Sequence, residues 1–224
     1  MKYTLILLSL VSFCHAAPSP SCEVTVAALN LPDNSDGLLH LRTAEIKETT
    51  PLQLSTRYFS PRIKTSESVV QFFANPLKAD DLKPPLPLIT VNLPEDAKLA
   101  YLIIFTTLDD KKQPVWKSIL LLDTDWPQSC MKLLNASANT LGIQAGDQKI
   151  QLLTGKFTNF TSSQWTDTFS VVIYKLTPEI KTVFSSKWRI TAGRRELSVL
   201  FNSGENIAIS SLIDLQPPPK IPSR

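Results

Sequence analysis

Leu99-Ala100-Tyr101-Leu102-Ile103-Ile104-Phe105 and Ile119-Leu120-Leu121-Leu122 decide the fold, because both stretches are apolar on either face and read as central strands buried by packing on each side. The segment joining them, Asp109-Asp110-Lys111-Lys112-Gln113-Pro114, is charged, which fits the solvated loop of an antiparallel pair and discourages edge-to-edge aggregation. Outward from this pair, runs of four to nine residues rich in Val, Ile, Leu, Thr, Phe and Tyr recur between Asn, Asp, Pro, Gly and Ser clusters, and helical spacing is scarce. The chain is therefore expected to be all-β, with strands near 23–29, 38–43, 52–59, 69–74, 86–92, 99–107, 115–122, 130–135, 140–144, 149–153, 169–176, 182–191, 196–202 and 206–212.

Short strands at this spacing predict two tandem antiparallel β-sandwich modules of immunoglobulin-like type, residues 22–125 and 129–214. Asp123-Thr124-Asp125-Trp126-Pro127-Gln128 joins them. Ala28-Leu29-Asn30-Leu31-Pro32 and Leu133-Leu134-Asn135-Ala136-Ser137, 105 residues apart, suggest a duplication; the alternative is one larger two-sheet domain. Near the end, Phe184, Trp188 and Ile190 alternate with Lys187 and Arg189. Leu197, Val199 and Phe201 answer across Thr191-Ala192-Gly193-Arg194, read as a hairpin turn. Five prolines between residues 76 and 94 mark a long connection or irregular edge, and residues 215–224 form a Pro-rich, extended C-terminal tail.

The N-terminus reads as an address. Lys2, the apolar stretch from Leu5 to Phe13 and Cys14-His15-Ala16 predict a signal peptide over residues 1–16, cleaved after Ala16 or alternatively Ala17, too short to anchor in a bilayer. The expected location is secreted or periplasmic, with no membrane span once the signal is removed. Of 224 residues, 43% are apolar and 19% charged, which excludes a disordered chain. Removing the signal leaves 22 basic against 20 acidic residues, too even a balance to imply nucleic acid as a partner. Cys22 and Cys130 then remain, either a disulfide in an oxidising compartment or two unpaired thiols.

Chemistry is sparse. His40 is the single histidine of the mature chain and reads as solvent-facing on a strand, so zinc sites built on two histidines are excluded. There is no Gly-rich phosphate loop, no Gly-x-Ser-x-Gly elbow and no CxxC knuckle. Neither a catalytic site, a metal nor a cofactor is expected. Carboxylate pairs such as Asp80-Asp81, Glu95-Asp96 and Asp109-Asp110, and Asp123 with Asp125, leave open a glycoside hydrolase, although acids in turns usually cap the backbone.

Two surface features remain. Lys187, Arg189, Arg194 and Arg195 are the one basic concentration, a candidate patch for an anionic polymer or acidic partner. Trp126 and Trp165 lie in polar loop contexts, each tucked over a sheet end or exposed as a stacking platform for sugar. Asn135-Ala136-Ser137 and Asn159-Phe160-Thr161 match the glycosylation sequon, relevant only in a eukaryotic host.

From Leu121-Leu122-Asp123 through Met131-Lys132-Leu133-Leu134-Asn135-Ala136-Ser137, and again over Ser186-Lys187-Trp188-Arg189-Ile190-Thr191-Ala192-Gly193-Arg194-Arg195-Glu196-Leu197, the chain resembles uncharacterised secreted proteins of verrucomicrobial and planctomycete bacteria. The resemblance covers about ninety residues, implies a bacterial envelope location and a β-sandwich, and carries no activity. The layout of a signal plus two sandwiches also looks like the periplasmic chaperones that assemble pili, which hold a partner strand at a sheet edge. The expectation is an exported, non-enzymatic binding or structural protein acting on an envelope protein or polysaccharide. A carbohydrate-binding module, an assembly chaperone and a carboxylate-based glycosidase are the alternatives.

Overall fold

The computed structural model describes residues 21–32, 35–43, 49–77, 85–109, 111, 113–165, 167–176, 178–203 and 206–215. The expected signal peptide, the 78–84 centre of the Pro-rich connection and the tail from residue 216 lie outside the described residues. The strands are β1 (Cys22–Ala28), β2 (Leu38–Thr43), β3 (Thr50–Gln53), β4 (Ile63–Thr65), β5 (Val69–Phe73), β6 (Ile89–Asn92), β7 (Leu99–Leu108) and β8 (Pro114–Leu122) in the first half. The second half holds β9 (Cys130–Asn135), β10 (Leu141–Ala145), β11 (Gln148–Leu152), β12 (Phe157–Thr161), β13 (Phe169–Lys175), β14 (Lys181–Trp188), β15 (Arg195–Ser203) and β16 (Asn206–Asp214). The expected all-β class holds.

Four four-stranded sheets result: A (β4-β1-β7-β8), B (β3-β2-β5-β6), C (β12-β9-β15-β16) and D (β11-β10-β13-β14). Sheets A and B come wholly from residues 22–122, and C and D from residues 130–214. Every strand of the first half has its counterpart eight strands later. β1 runs parallel to β7 and antiparallel to β4, just as β9 runs parallel to β15 and antiparallel to β12. The repeat therefore lies in the topology. The Asn turns that suggested it are not equivalent: Leu29 N donates to Ile104 O and Ala136 N to Leu200 O, which sets Asn135 against Ala28 rather than Asn30. The strand order also departs from the immunoglobulin one, in which the first two strands share a sheet; here β1 and β2 lie in facing sheets.

Three interiors separate four layers. Val24, Val26, Ala100, Leu102 and Ile104 face Leu39, Leu41, Val70 and Phe72 between A and B. The alternate residues of the same strands, Ala27, Leu99, Tyr101 and Ile103, meet Cys130, Leu134, Leu197 and Val199 between A and C. Met131, Leu133 and Leu200 meet Ile143, Val171 and Ile173 between C and D. The layers thus stack as B, A, C, D. This is why β7 is apolar at successive positions: both of its faces are interior, and Leu99 through Ile104 are at most 1% exposed.

Three local expectations fail. The strand expected near 52–59 ends at Gln53 in β3, with only an isolated bridge at Tyr58 beyond it. Thr191–Arg194 is no hairpin turn, because β14 pairs with β13 in sheet D while β15 pairs with β9 and β16 in sheet C; the turn carries the chain between layers. Strands β4 and β12 lie in Arg-Ile-Lys and Phe-Thr-Asn-Phe-Thr contexts with too few alternating apolar residues to be recognised. Among the described residues, no helix is long and apolar enough to cross a membrane.

Candidate functional site

The basic cluster of the sequence divides into buried and exposed parts. Arg195 opens β15 on the same face as Leu197 and Val199, so its side chain enters the interior between A and C, where it is only 4% exposed. Its Nη1 lies 2.5 Å from Asp123 Oδ1 and donates to Tyr101 Oη at 2.6 Å; Tyr101 Oη in turn donates to Asp214 Oδ2 at 2.7 Å. Burial, then the hydrogen bond and charge of Asp214, push the Tyr101 phenol up, with Arg195 opposing, so the phenol keeps its proton. Arg195 is therefore not part of a surface patch: it ties the linker, β7, β15 and β16 into one charged knot. Arg194 is spoken for too, pairing with Glu196 at 3.5 Å. Lys187 and Arg189 remain exposed at the surface.

The tryptophans separate in the same way. Trp126 is fully buried and cannot be a platform. Its ring meets Tyr101 edge-on at 4.9 Å and Phe59 at 5.9 Å, closing the A–C interior over the linker. Trp165 is half-buried: one face stacks on Phe169 at 4.2 Å and its edge approaches Phe160 at 6.2 Å. Gly146 makes room for it, since at φ +53° it adopts the left-handed region and a Cβ there would stand 3.1 Å from the indole.

What remains accessible of Trp165 lines a hollow of about 690 Å³ with Arg189, Ser162, Ile190, Thr191 and Ala192. It sits at one end of the second sandwich, where the chain passes from β12 to β13 and from β14 to β15. Two of the sequence candidates, Trp165 and Arg189, thus converge on one concavity. Indole, guanidinium and two hydroxyls offer stacking, a fixed positive fork and neutral hydrogen bonding. Ser129, at φ 56°, fixes one rim by accepting from Gly193 N at 2.7 Å.

A second hollow of about 600 Å³ lies on the outer face of sheet D, over Gly142, Gln144, Gln151, Tyr174 and Ile180. Pairing register places Gly142, Gln144, Lys149, Gln151, Ser170, Val172, Tyr174, Thr182, Ser185 and Lys187 in the outward rows of this sheet. Those rows contain two lysines and no carboxylate.

The remaining expectations resolve individually. Cys22 lies in the A–B interior and Cys130 in the A–C interior, both buried and free, so the bridge considered for them is absent. Burial raises both thiol pKa values. His40 is buried rather than solvent-facing. Asp109 Oδ1 accepts from Lys111 N and Gln113 N, the capping role expected of turn acids, and Asp123 is committed to Arg195. Asn135 is fully buried and donates to Leu152 O and Asn139 O, so that sequon offers no acceptor. No group of three or more potential metal ligands occurs among the described residues. No protein-family model matches the chain, and no curated protein matches it.

Proposed function

We propose that the mature chain is an exported, non-enzymatic binding protein of a bacterial envelope, and that it holds an anionic polysaccharide at the Trp165–Arg189 hollow. The observation carrying this reading is the meeting of a partly exposed indole with an exposed guanidinium in one concavity. Sugar rings stack on indoles, and a planar guanidinium donates two parallel hydrogen bonds to a carboxylate. The outward rows of sheet D, with Lys149 and Lys187 and no acid, add a surface of matching sign. Export rests on the N-terminal address, and the bacterial envelope on the resemblance over the second half.

Equilibrium titration with oligouronides, and with neutral gluco-oligosaccharides as the comparison, tests the proposal. Saturable binding of the oligouronide is expected, weakened by salt and reduced about tenfold by Arg189→Ala, which removes an exposed side chain without touching the core. No uronide binding, or uronide binding indifferent to Arg189→Ala, refutes it. A second reading has its own observation: β14 ends sheet D with an eight-residue edge along which an extended peptide could add as a further strand. A stable one-to-one complex with an extended peptide, unaffected by uronides, would select that reading.

A further inference from the structure

The interior between A and C contains one side chain that its packing does not explain. Lys132 lies on β9 between Cys130 and Leu134, is fully buried, and its Nζ has no hydrogen-bond partner. The ammonium position stands 3.2 Å from the centroid of the Phe157 ring. Directly opposite Lys132 in the β9–β12 register is Asn159, whose Oδ1 is likewise buried and without a partner. Facing residues of an antiparallel pair project to the same side with Cβ atoms about 4.5–5.5 Å apart, within the reach of a lysine side chain. Buried polar groups are nearly always satisfied, and here an amine and a carboxamide, each unsatisfied, are neighbours.

We propose that Lys132 and Asn159 are joined by an intramolecular amide bond that ties edge strand β12 to β9. Nζ attacks the Cγ carbonyl of Asn159, the Cγ–Nδ2 bond breaks, and Nδ2 departs as ammonia. One amide replaces another, so no oxidant or reductant is involved. The amine must attack unprotonated, and burial lowers its pKa to about 8, leaving roughly one lysine in ten neutral near pH 7. The charge of exposed Asp125 opposes this lowering; the proton that Nζ loses goes to the leaving Nδ2, which therefore departs as neutral ammonia. Phe157 covers the amine, and the burial of both Nζ and Asn159 Oδ1 keeps water from the pair, which disfavours the competing hydrolysis of the carboxamide. The product exchanges a buried charge for a neutral amide and covalently secures an outer strand of the second sandwich, a useful brace for a protein exposed outside the cell.

Mass spectrometry of the full chain, purified after export, tests this directly. The intact mass is expected to fall short of the sequence mass by the about 17 Da of one ammonia, with peptide mapping placing the link between Lys132 and Asn159. Asn159→Ala and Lys132→Arg should each abolish the deficit. Full mass in the wild-type chain after prolonged incubation at pH 9, where the amine is largely neutral, overturns the proposal. A deficit that persists in Asn159→Ala overturns it equally, and because the wild-type mass alone is decisive, a variant that fails to fold does not shelter it.

Discussion

Tyr101→Phe removes a single oxygen at the centre of the molecule and asks whether the charged knot holds the two halves together. The hydroxyl accepts from Arg195 Nη1 at 2.6 Å and donates to Asp214 Oδ2 at 2.7 Å, both within the buried interior. Hydrogen bonds to charged groups contribute about 1.5–3 kcal/mol each. Arg195 keeps Asp123 at 2.5 Å and has Asp214 at 3.9 Å, so part of that is recovered and the net loss should be about 2–3 kcal/mol. The ring stays, and with it the edge-on contacts to Phe59 at 5.2 Å and Trp126 at 4.9 Å. For a chain of this size the loss corresponds to a fall in Tm of about 5–10 °C. Guanidinium unfolding followed by tryptophan fluorescence is the assay, since Trp126 reports from the junction itself. A single transition with an unchanged m value and a lower midpoint is expected. An unchanged midpoint, or two resolved transitions in the wild type, refutes the view that this interior makes one cooperative unit.

Four further outcomes follow from the same geometry. Trp126→Ala should cost about 3–5 kcal/mol, read as a large fall in unfolding midpoint, because it empties the centre of the A–C interior. Gly146→Ala forces an unfavourable φ and crowds Trp165, so it should destabilise by about 1–2 kcal/mol and weaken uronide binding, whereas Gly193→Ala, strained at φ +74° but with open space around its Cβ, should cost about 1 kcal/mol of backbone strain without crowding Trp165. Burial raises the Glu196 pKa in the fold and Arg194 only partly opposes it, so the native state holds that proton more tightly than the unfolded chain. Its contribution is thus lost as pH rises past the ordinary carboxyl range, and Glu196→Gln should flatten the stability profile there. Cys22 and Cys130, buried with raised pKa values, should ignore a thiol reagent in the native state and react after denaturation, with reductant leaving the unfolding midpoint unchanged.

The strands were legible where one physical signal dominated. Uninterrupted apolar residues from Leu99 to Phe105 announced a strand buried on both faces, and the four-layer stack is what buries it. Strand pairing was harder, because the alternation of Phe184 and Trp188 with Lys187 is the same whether the next strand is a hairpin partner or lies in another sheet. The site divided along similar lines. Arg195 follows Arg194 and looks like its equal, yet strand parity turns one into the interior and the other toward solvent. Tyr101, an isolated polar tip within an apolar run, and Asp214, an acid closing an apolar strand, were the only local hints of the partners awaiting Arg195. Trp126 and Trp165 share polar neighbours; only tertiary packing separates the buried ring from the one at the hollow. Lys132, within Met-Lys-Leu-Leu, carries a signal of its own: it is a charge at an alternating interior position.

The most direct measurement is an amide chemical-shift map of the isotope-labelled protein titrated with an oligouronide. Saturable shifts are expected, concentrated at Ser162, Trp165 and Arg189 through Ala192 and extending only onto the outward rows of sheet D. Shifts confined to the far sheet B or to the free edge of β8, or a spectrum indifferent to the ligand, would contradict it.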